Sequence, residues 1–147
     1  MTILVTGGAG FIGANFIIHL QNNFDEKIIV LDKLGYASDR SYIPNTSQFH
    51  FEKCDLFDEG HVKDIFKKFK PGVVFHFAAE SHVDKSIIDC EPFIKSNIIG
   101  TINLLNSIRS YDIEKFLHIS TDEVFGSISK GSFSENSRYD PKNPYSA

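Results

Sequence analysis

Five short apolar runs set the rhythm of this chain: Ile3-Leu4-Val5, Lys27-Ile28-Ile29-Val30-Leu31-Asp32, residues 49–54, residues 73–77 and residues 115–120. Each is rich in β-branched or aromatic residues and gives way to glycine, alanine or acidic positions. Nearly unbroken apolar runs of this length predict strands buried on both faces, as parallel strands are. Helical spacing fills most of the intervals between them. Ala14 to Leu20 is amphipathic, and His61 to Phe69 places Val62, Ile65, Phe66 and Phe69 at i, i+3, i+4 and i+7. Lys67, Lys68 and Lys70 then form the solvated face and end of that helix, before Pro71-Gly72 breaks it. A long helix is predicted from about Pro92 to Tyr111, with Ile94, Ile98, Ile102 and Leu105 near helical spacing and Gly100 allowing close packing. This β–α alternation implies an α/β fold: a doubly wound, Rossmann-like parallel sheet with right-handed crossovers, ending after about five strands. No internal repeat, low-complexity tract or linker divides the chain.

The interval after the first strand carries the first chemical signal. Thr6-Gly7-Gly8-Ala9-Gly10-Phe11-Ile12-Gly13 separates strand from helix. Gly8, Gly10 and Gly13 fit G-x-G-x-x-G, while Gly7, Gly10 and Gly13 fit the looser G-x-x-G-x-x-G. Such a loop turns tightly, lets backbone approach a pyrophosphate and offers it the free N–H groups of a helix N-terminus. No Lys-Ser/Thr follows, which argues against an ATPase-type phosphate loop. Asp32 ends the second strand nineteen residues after Gly13, near the spacing at which a carboxylate accepts hydrogen bonds from an adenosine ribose. A carboxylate there repels a 2′-phosphate and favours NAD over NADP. Lys33, beside it, argues the other way.

Composition narrows the class. The 147 residues, 41% hydrophobic with fourteen Phe, suffice for one core. A net charge of −4 disfavours nucleic acid as the main partner. Cys54 and Cys90 lack metal-ligand spacing and read as free thiols of a reducing compartment. No metal is assigned to any histidine; His76 and His118 sit within apolar runs and read as hydrogen-bonded core or near-core groups. The first strand starts too close to Met1 for a signal peptide, and no apolar run reaches membrane-spanning length, so a cytoplasmic location is expected.

Two strand ends hold the remaining chemistry. Ala78-Ala79-Glu80-Ser81-His82-Val83-Asp84 follows the fourth strand, beside the point where strand order reverses and a dinucleotide crosses the sheet. Ala78 and Ala79 would let a cofactor come near, and Ser81, His82 and Asp84 are either ligand-facing or simply solvated. After the fifth strand, Ser120-Thr121-Asp122-Glu123 presents adjacent carboxylates. Adjacent acids are common in loops. Two held close cannot both ionise easily, however, which separates them into an acid and a base.

Together these segments, with Val124-Phe125-Gly126 and Pro144-Tyr145-Ser146-Ala147, resemble the N-terminal half of the extended short-chain dehydrogenase/reductase family, and most closely its dTDP-glucose 4,6-dehydratases. The resemblance spans essentially the whole chain. The glycine loop marks only the superfamily. Thr121-Asp122-Glu123 is sharper, since 4-epimerases of this family lack the acidic pair and the related decarboxylases typically show Thr-Ser-Glu. The resemblance implies NAD contacts at Phe11, Ile12, Asp32, Lys33, Leu34, Asp55, Leu56, Ala78, Ala79 and Ser96, and substrate contacts at Ser81 and Thr121. It also implies a general acid at Asp122, a general base at Glu123 and an alcohol-deprotonating phenol at Tyr145. A nucleotide-sugar substrate and a homodimer follow from the same resemblance. Gly35, Ser96 and Phe125 depart mildly from the family pattern. A larger departure concerns Tyr-x-x-x-Lys, whose lysine would fall two residues beyond Ala147, so residues 1–147 are expected to be an incomplete NAD-binding domain without its substrate-binding region. The alternatives are another sugar-nucleotide enzyme of the extended family (a UDP-sugar dehydratase, a decarboxylase or an epimerase) or a non-catalytic nucleotide-binding piece.

Overall fold

The computed structural model describes residues 1–113 and 115–147. All five expected strands form: β1 (Thr2–Thr6), β2 (Lys27–Asp32), β3 (Phe49–Lys53), β4 (Val73–His76) and β5 (Lys115–His118). They make one parallel sheet in the order β3-β2-β1-β4-β5. The chain therefore grows outward from β1 in one direction and then, from β4, in the other. Between β1 and β4 the following segments diverge to opposite faces and leave a crevice at the carboxyl ends of the strands.

Strand alternation divides the core into two layers. Ile3, Val5, Ile28 and Val30 point to one face and pack with Ala9, Ile17 and Leu20 around α1 (Phe11–Asn23). Leu4, Ile29, Leu31 and Val74 point to the other and meet Val62, Ile65 and Phe66 of α2 (Glu59–Phe69) and Leu104. All of these are buried, so β1 and β2 have no polar face. Helix α2 begins two residues before the predicted start because Asp58 caps it, its carboxylate accepting from the His61 N–H at 3.0 Å. Lys67, Lys68 and Lys70 are exposed, as their pattern indicates.

The long helix departs from expectation in its middle. Residues Glu91–Phe93 (α4), a π-helical stretch Ile94–Gly100 and Thr101–Ser110 (α5) follow one another directly. Gly100 lies against Leu56, where a methyl would come within 3.0 Å of its Cβ. The apolar positions Ile94, Ile98, Ile102 and Leu105 are exposed, while Phe93, Leu104 and Ser107 are buried. A short helix, α3 (Val83–Ile88), and two 3₁₀ turns at Arg40–Tyr42 and Asp122–Phe125 had no helical pattern to reveal them.

His76 and His118 separate. His76 is buried and spans β1 and the long helix: its Nδ1 shares a hydrogen bond with the Thr6 hydroxyl at 2.6 Å and its Nε2 shares one with the Thr101 hydroxyl at 3.0 Å. Burial, with the neighbouring His118 ring adding to it, pushes its pKa down to about 4, so the ring is neutral. His118 is exposed, contrary to the core or near-core position expected, because β5 is an edge strand whose outer side nothing covers among the described residues. No described helix is long and apolar enough to cross a membrane.

Candidate functional site

A cleft of about 360 Å³ opens at the carboxyl ends of β1, β4 and β5. Its floor is the glycine loop. Gly7 holds a left-handed backbone (φ +69°), and a side chain there would strike the Ala78 backbone within 2.7 Å. Gly13 sits so close to the Gly7 carbonyl oxygen that an added methyl would collide with it. Gly7, Gly10 and Gly13 line the cleft, while Gly8 turns away beneath Val30. The looser of the two glycine patterns is therefore the one that builds the wall.

Helix α1 starts at Gly10 with no side-chain cap and no acid in its first turn. Its first N–H groups and positive dipole end face the cleft that Gly10, Phe11, Ile12 and Gly13 line. Phe11 and Ile12 are 79% and 62% exposed, an apolar rim beside a polar floor.

Asp32 closes one end of the cleft. It is only 5% exposed, and its two oxygens accept from the Ala9 N–H at 3.0 Å and the Leu34 N–H at 2.8 Å. The carboxylate is thereby locked to the glycine loop on one side and to its own loop on the other. Lys33 also lines the cleft, but its ammonium is engaged by Glu80 at 2.6 Å. The segment after β2 is tied across the site by the Asp39 N–H to the Ala9 carbonyl (2.9 Å) and by a bridge between Gly10 and Ser38. Lys85 sits over the Tyr36 ring, 3.3 Å from its centroid.

Of the expected cofactor positions, Asp55, Leu56, Ala78, Ala79 and Ser96 share this wall, and Leu34 does not. Leu34 instead packs against the α1-side core from a left-handed backbone (φ +58°). Ser81 reaches the cleft, whereas His82 and Asp84 are exposed outside it. The π-helical turn aims Ser96 into the site and places Asn97 where its amide clamps Glu80, accepting from the Glu80 N–H and donating to the Glu80 carbonyl, both at 2.8 Å. Cys54 also lines the wall; its thiol, raised to about 12 by burial and by Asp58, Asp55 and Glu52, is inert as a nucleophile.

The other end of the cleft is formed by Ile119, Ser120 and Tyr145. Tyr145 is half-buried, with its backbone N–H on the Ser86 hydroxyl (3.2 Å) and its ring edge-on to Phe93. Thr121, Asp122 and Glu123 stand just beyond the wall. The Thr121 hydroxyl caps the 3₁₀ turn by accepting from the Glu123 N–H at 3.2 Å, and both carboxylates are exposed. Asp122 borders a separate hollow with Phe125, Ile128 and Phe133. Asn143 links the two groups, its amide donating to Glu123 Oε2 at 3.3 Å two residues before Tyr145. The structure thus brings Tyr145 and the nucleotide-type loop into one cleft, with the acidic pair at its margin. Among the described residues no cluster of His, Cys, Asp and Glu could hold a metal ion.

Sequence reasoning missed Leu31, Ala37, Ser38, Cys54, Phe77, Ile119 and Ser120 as wall residues. Phe77 and Ile119 directly follow strands and were accessible to the rule that sites gather at strand carboxyl ends. Ala37 and Ser38 belong to a segment without periodicity, and nothing in the sequence marks them.

A family model described as GDP-mannose 4,6 dehydratase matches residues 4–147. The chain belongs to this family. It is 43% identical over 161 residues to a dTDP-glucose 4,6-dehydratase of Haemophilus influenzae, covering 100% of this chain and 48% of that protein. It is 45% identical over 151 residues to a low-salt glycan biosynthesis protein of Haloferax volcanii, again covering 100% of this chain and 48% of that one. Among solved structures, the dTDP-glucose 4,6-dehydratase DesIV of Streptomyces venezuelae with NAD bound superposes with a TM-score of 0.93 at 38% identity, over 99% of this chain and 47% of that one. A UDP-glucose 4-epimerase of Thermus thermophilus in complex with NAD gives 0.90 at 34%, over 99% and 46%. The chain thus spans about half the length of the relatives it matches, and its fold is the Rossmann-like sheet expected. Fold likeness does not separate dehydratase from epimerase.

Proposed function

We propose that the cleft holds NAD and that the intact protein is an NAD-dependent sugar-nucleotide 4,6-dehydratase, converting dTDP-glucose to the 4-keto-6-deoxy sugar. One observation carries the cofactor assignment: a buried carboxylate, Asp32, faces a cleft floored by the uncapped N-terminus of α1. The exposed Phe11 and Ile12 beside it are apolar surfaces that a bound dinucleotide would cover. Gly7, Gly10, Phe11, Ile12 and Gly13 would hold the pyrophosphate; Asp32 and Lys33 the adenosine ribose; and Asp55, Leu56, Ala78, Ala79 and Ser96 the remaining surface, while Leu34 supports the Asp32 carboxylate through its backbone N–H. Residues 1–147 act in this reading as the cofactor domain, with the substrate region supplied by further sequence.

When bound, NAD supplies reversible hydride acceptance, taken from C4 of the hexose and returned at C6. The chain's own residues move protons. Tyr145 Oη takes the proton of the sugar 4-hydroxyl. Glu123 takes the C5 proton, acidic only once C4 carries a carbonyl, and returns it to C5 when C6 has been reduced. Asp122 protonates the departing 6-oxygen, and the Thr121 hydroxyl donates to the 4-oxygen while Ser81 orients the sugar. Net redox change is zero, so the activity is that of a lyase. Relatives named as dTDP-glucose 4,6-dehydratases, of which this chain matches about half, support this reading, as does the Thr121-Asp122-Glu123 triplet. The exposed Ile94, Ile98, Ile102 and Leu105 support a homodimer formed through that helix face. Free thiols and a nucleotide-sugar substrate support a cytoplasmic location.

Calorimetric titration with NAD and NADP tests the cofactor, and tighter NADP binding overturns it. Incubation of the intact protein with dTDP-glucose tests the reaction, and absence of 4-keto-6-deoxy product overturns that.

A further inference from the structure

Among the described residues Lys33 is the only cation that lines the cleft, and it follows Asp32 directly. A free ammonium at that place is what a 2′-phosphate would seek. It is not free. Glu80 Oε1 holds it at 2.6 Å, and the Glu80 side chain is only 13% exposed, so this pair is screened less than a surface one. Glu80 itself cannot drift, because the Asn97 amide fixes both its N–H and its carbonyl. It does not line the cleft.

We propose that Glu80 is a positioning residue that sets dinucleotide specificity, by sequestering Lys33 so that a 2′-phosphate finds no available cation beside Asp32. The inference rests on the NAD reading and extends it to a residue outside the cleft. Nearby cations offer no substitute: Lys85 is stacked on Tyr36, and the Arg40 guanidinium donates to the Ile43 carbonyl at 3.1 Å and lies over Phe51. Removing the Glu80 charge while keeping its shape would release Lys33 toward the ribose. The backbone clamp by Asn97 would hold the loop in place.

The test is calorimetric titration of nucleotide-stripped, full-length protein with NAD and with NADP, for the wild type, Glu80→Gln, Glu80→Asp and the double variant Glu80→Gln with Lys33→Met. In Glu80→Gln the NADP:NAD Kd ratio should fall about tenfold, one decade being a single charged contact of about 1.4 kcal/mol. NAD should stay within about threefold, because the added contact is made only to the 2′-phosphate. The double variant should lose the NADP gain, and Glu80→Asp should keep wild-type discrimination. An unmoved ratio, a parallel weakening of both nucleotides, or a gain that survives Lys33→Met would each overturn the assignment. A wild-type protein that prefers NADP sinks the NAD reading itself, whereas a wild type that prefers NAD with an unmoved Glu80→Gln ratio sinks only the role of Glu80.

Discussion

Acidification should unfold this protein through His76 before its carboxylates matter. The ring is 1% exposed, and its two nitrogens are engaged by the Thr6 and Thr101 hydroxyls at 2.6 and 3.0 Å, with no carboxylate among the described residues to pair a charge. Burial lowers the pKa from the ordinary 6.5 to about 4, so between those values the unfolded chain binds a proton and the folded chain does not. Stability therefore rises with pH across this window. The contribution is complete above the unfolded value and is lost as pH falls toward the folded one. At about 1.4 kcal/mol per pKa unit the loss is about 3 kcal/mol, a large share of the roughly 5–15 kcal/mol of a typical domain. Glu52, lowered chiefly by its bond to Lys68, adds its own loss only below its ordinary 4.5, which leaves the upper part of the window to His76. Urea denaturation across the window, repeated on His76→Asn, measures the effect. Asn can still hydrogen-bond the Thr6 hydroxyl but carries no titrating group, so the variant should be less stable at neutral pH yet flatter across the window. Parallel profiles for wild type and variant would refute a buried neutral His76.

Other expectations are more local. Gly13→Ala should cost at least about 2 kcal/mol by overpacking against the Gly7 carbonyl and abolish nucleotide binding, as read by thermal melts with and without NAD. Ser107→Ala should leave stability unchanged or raise it by up to about 1 kcal/mol, because Ser107 Oγ is buried with no hydrogen-bond partner among the described residues; denaturant melts decide. Ile98→Glu should reduce self-association in sedimentation velocity with little change in melting temperature, since Ile98 is already 52% exposed. In the intact protein, Glu123→Gln should permit C4 oxidation but not elimination. Reduced-nicotinamide absorbance should then appear in a single turnover without 4-keto-6-deoxy product, and normal product formation would remove Glu123 from the mechanism.

Where hydrophobic burial alone decides structure, the sequence was sufficient. Residues 27–32 were bounded to the residue, because a strand buried on both faces has no polar position at which to end early. The glycine loop was equally plain, since few residues other than glycine tolerate the Gly7 backbone and none but glycine fits at Gly13. Asp32 was placed by spacing from that loop, and its burial followed. Partnership across the fold was another matter. That His76 bridges Thr6 and Thr101 while His118 faces solvent depends on which strand ends up at the sheet edge, a property of strand order and not of either run. The choice between the two overlapping glycine patterns fell to the packing of Gly8 beneath Val30. The π-helical turn that delivers Ser96 and Asn97, the Glu80 hold on Lys33 and the Ser86 contact beneath Tyr145 join residues far apart in the chain. Periodicity reports which face of an element is apolar; it carries nothing about which polar groups converge once those faces are packed, and so those contacts were decided by the tertiary structure alone.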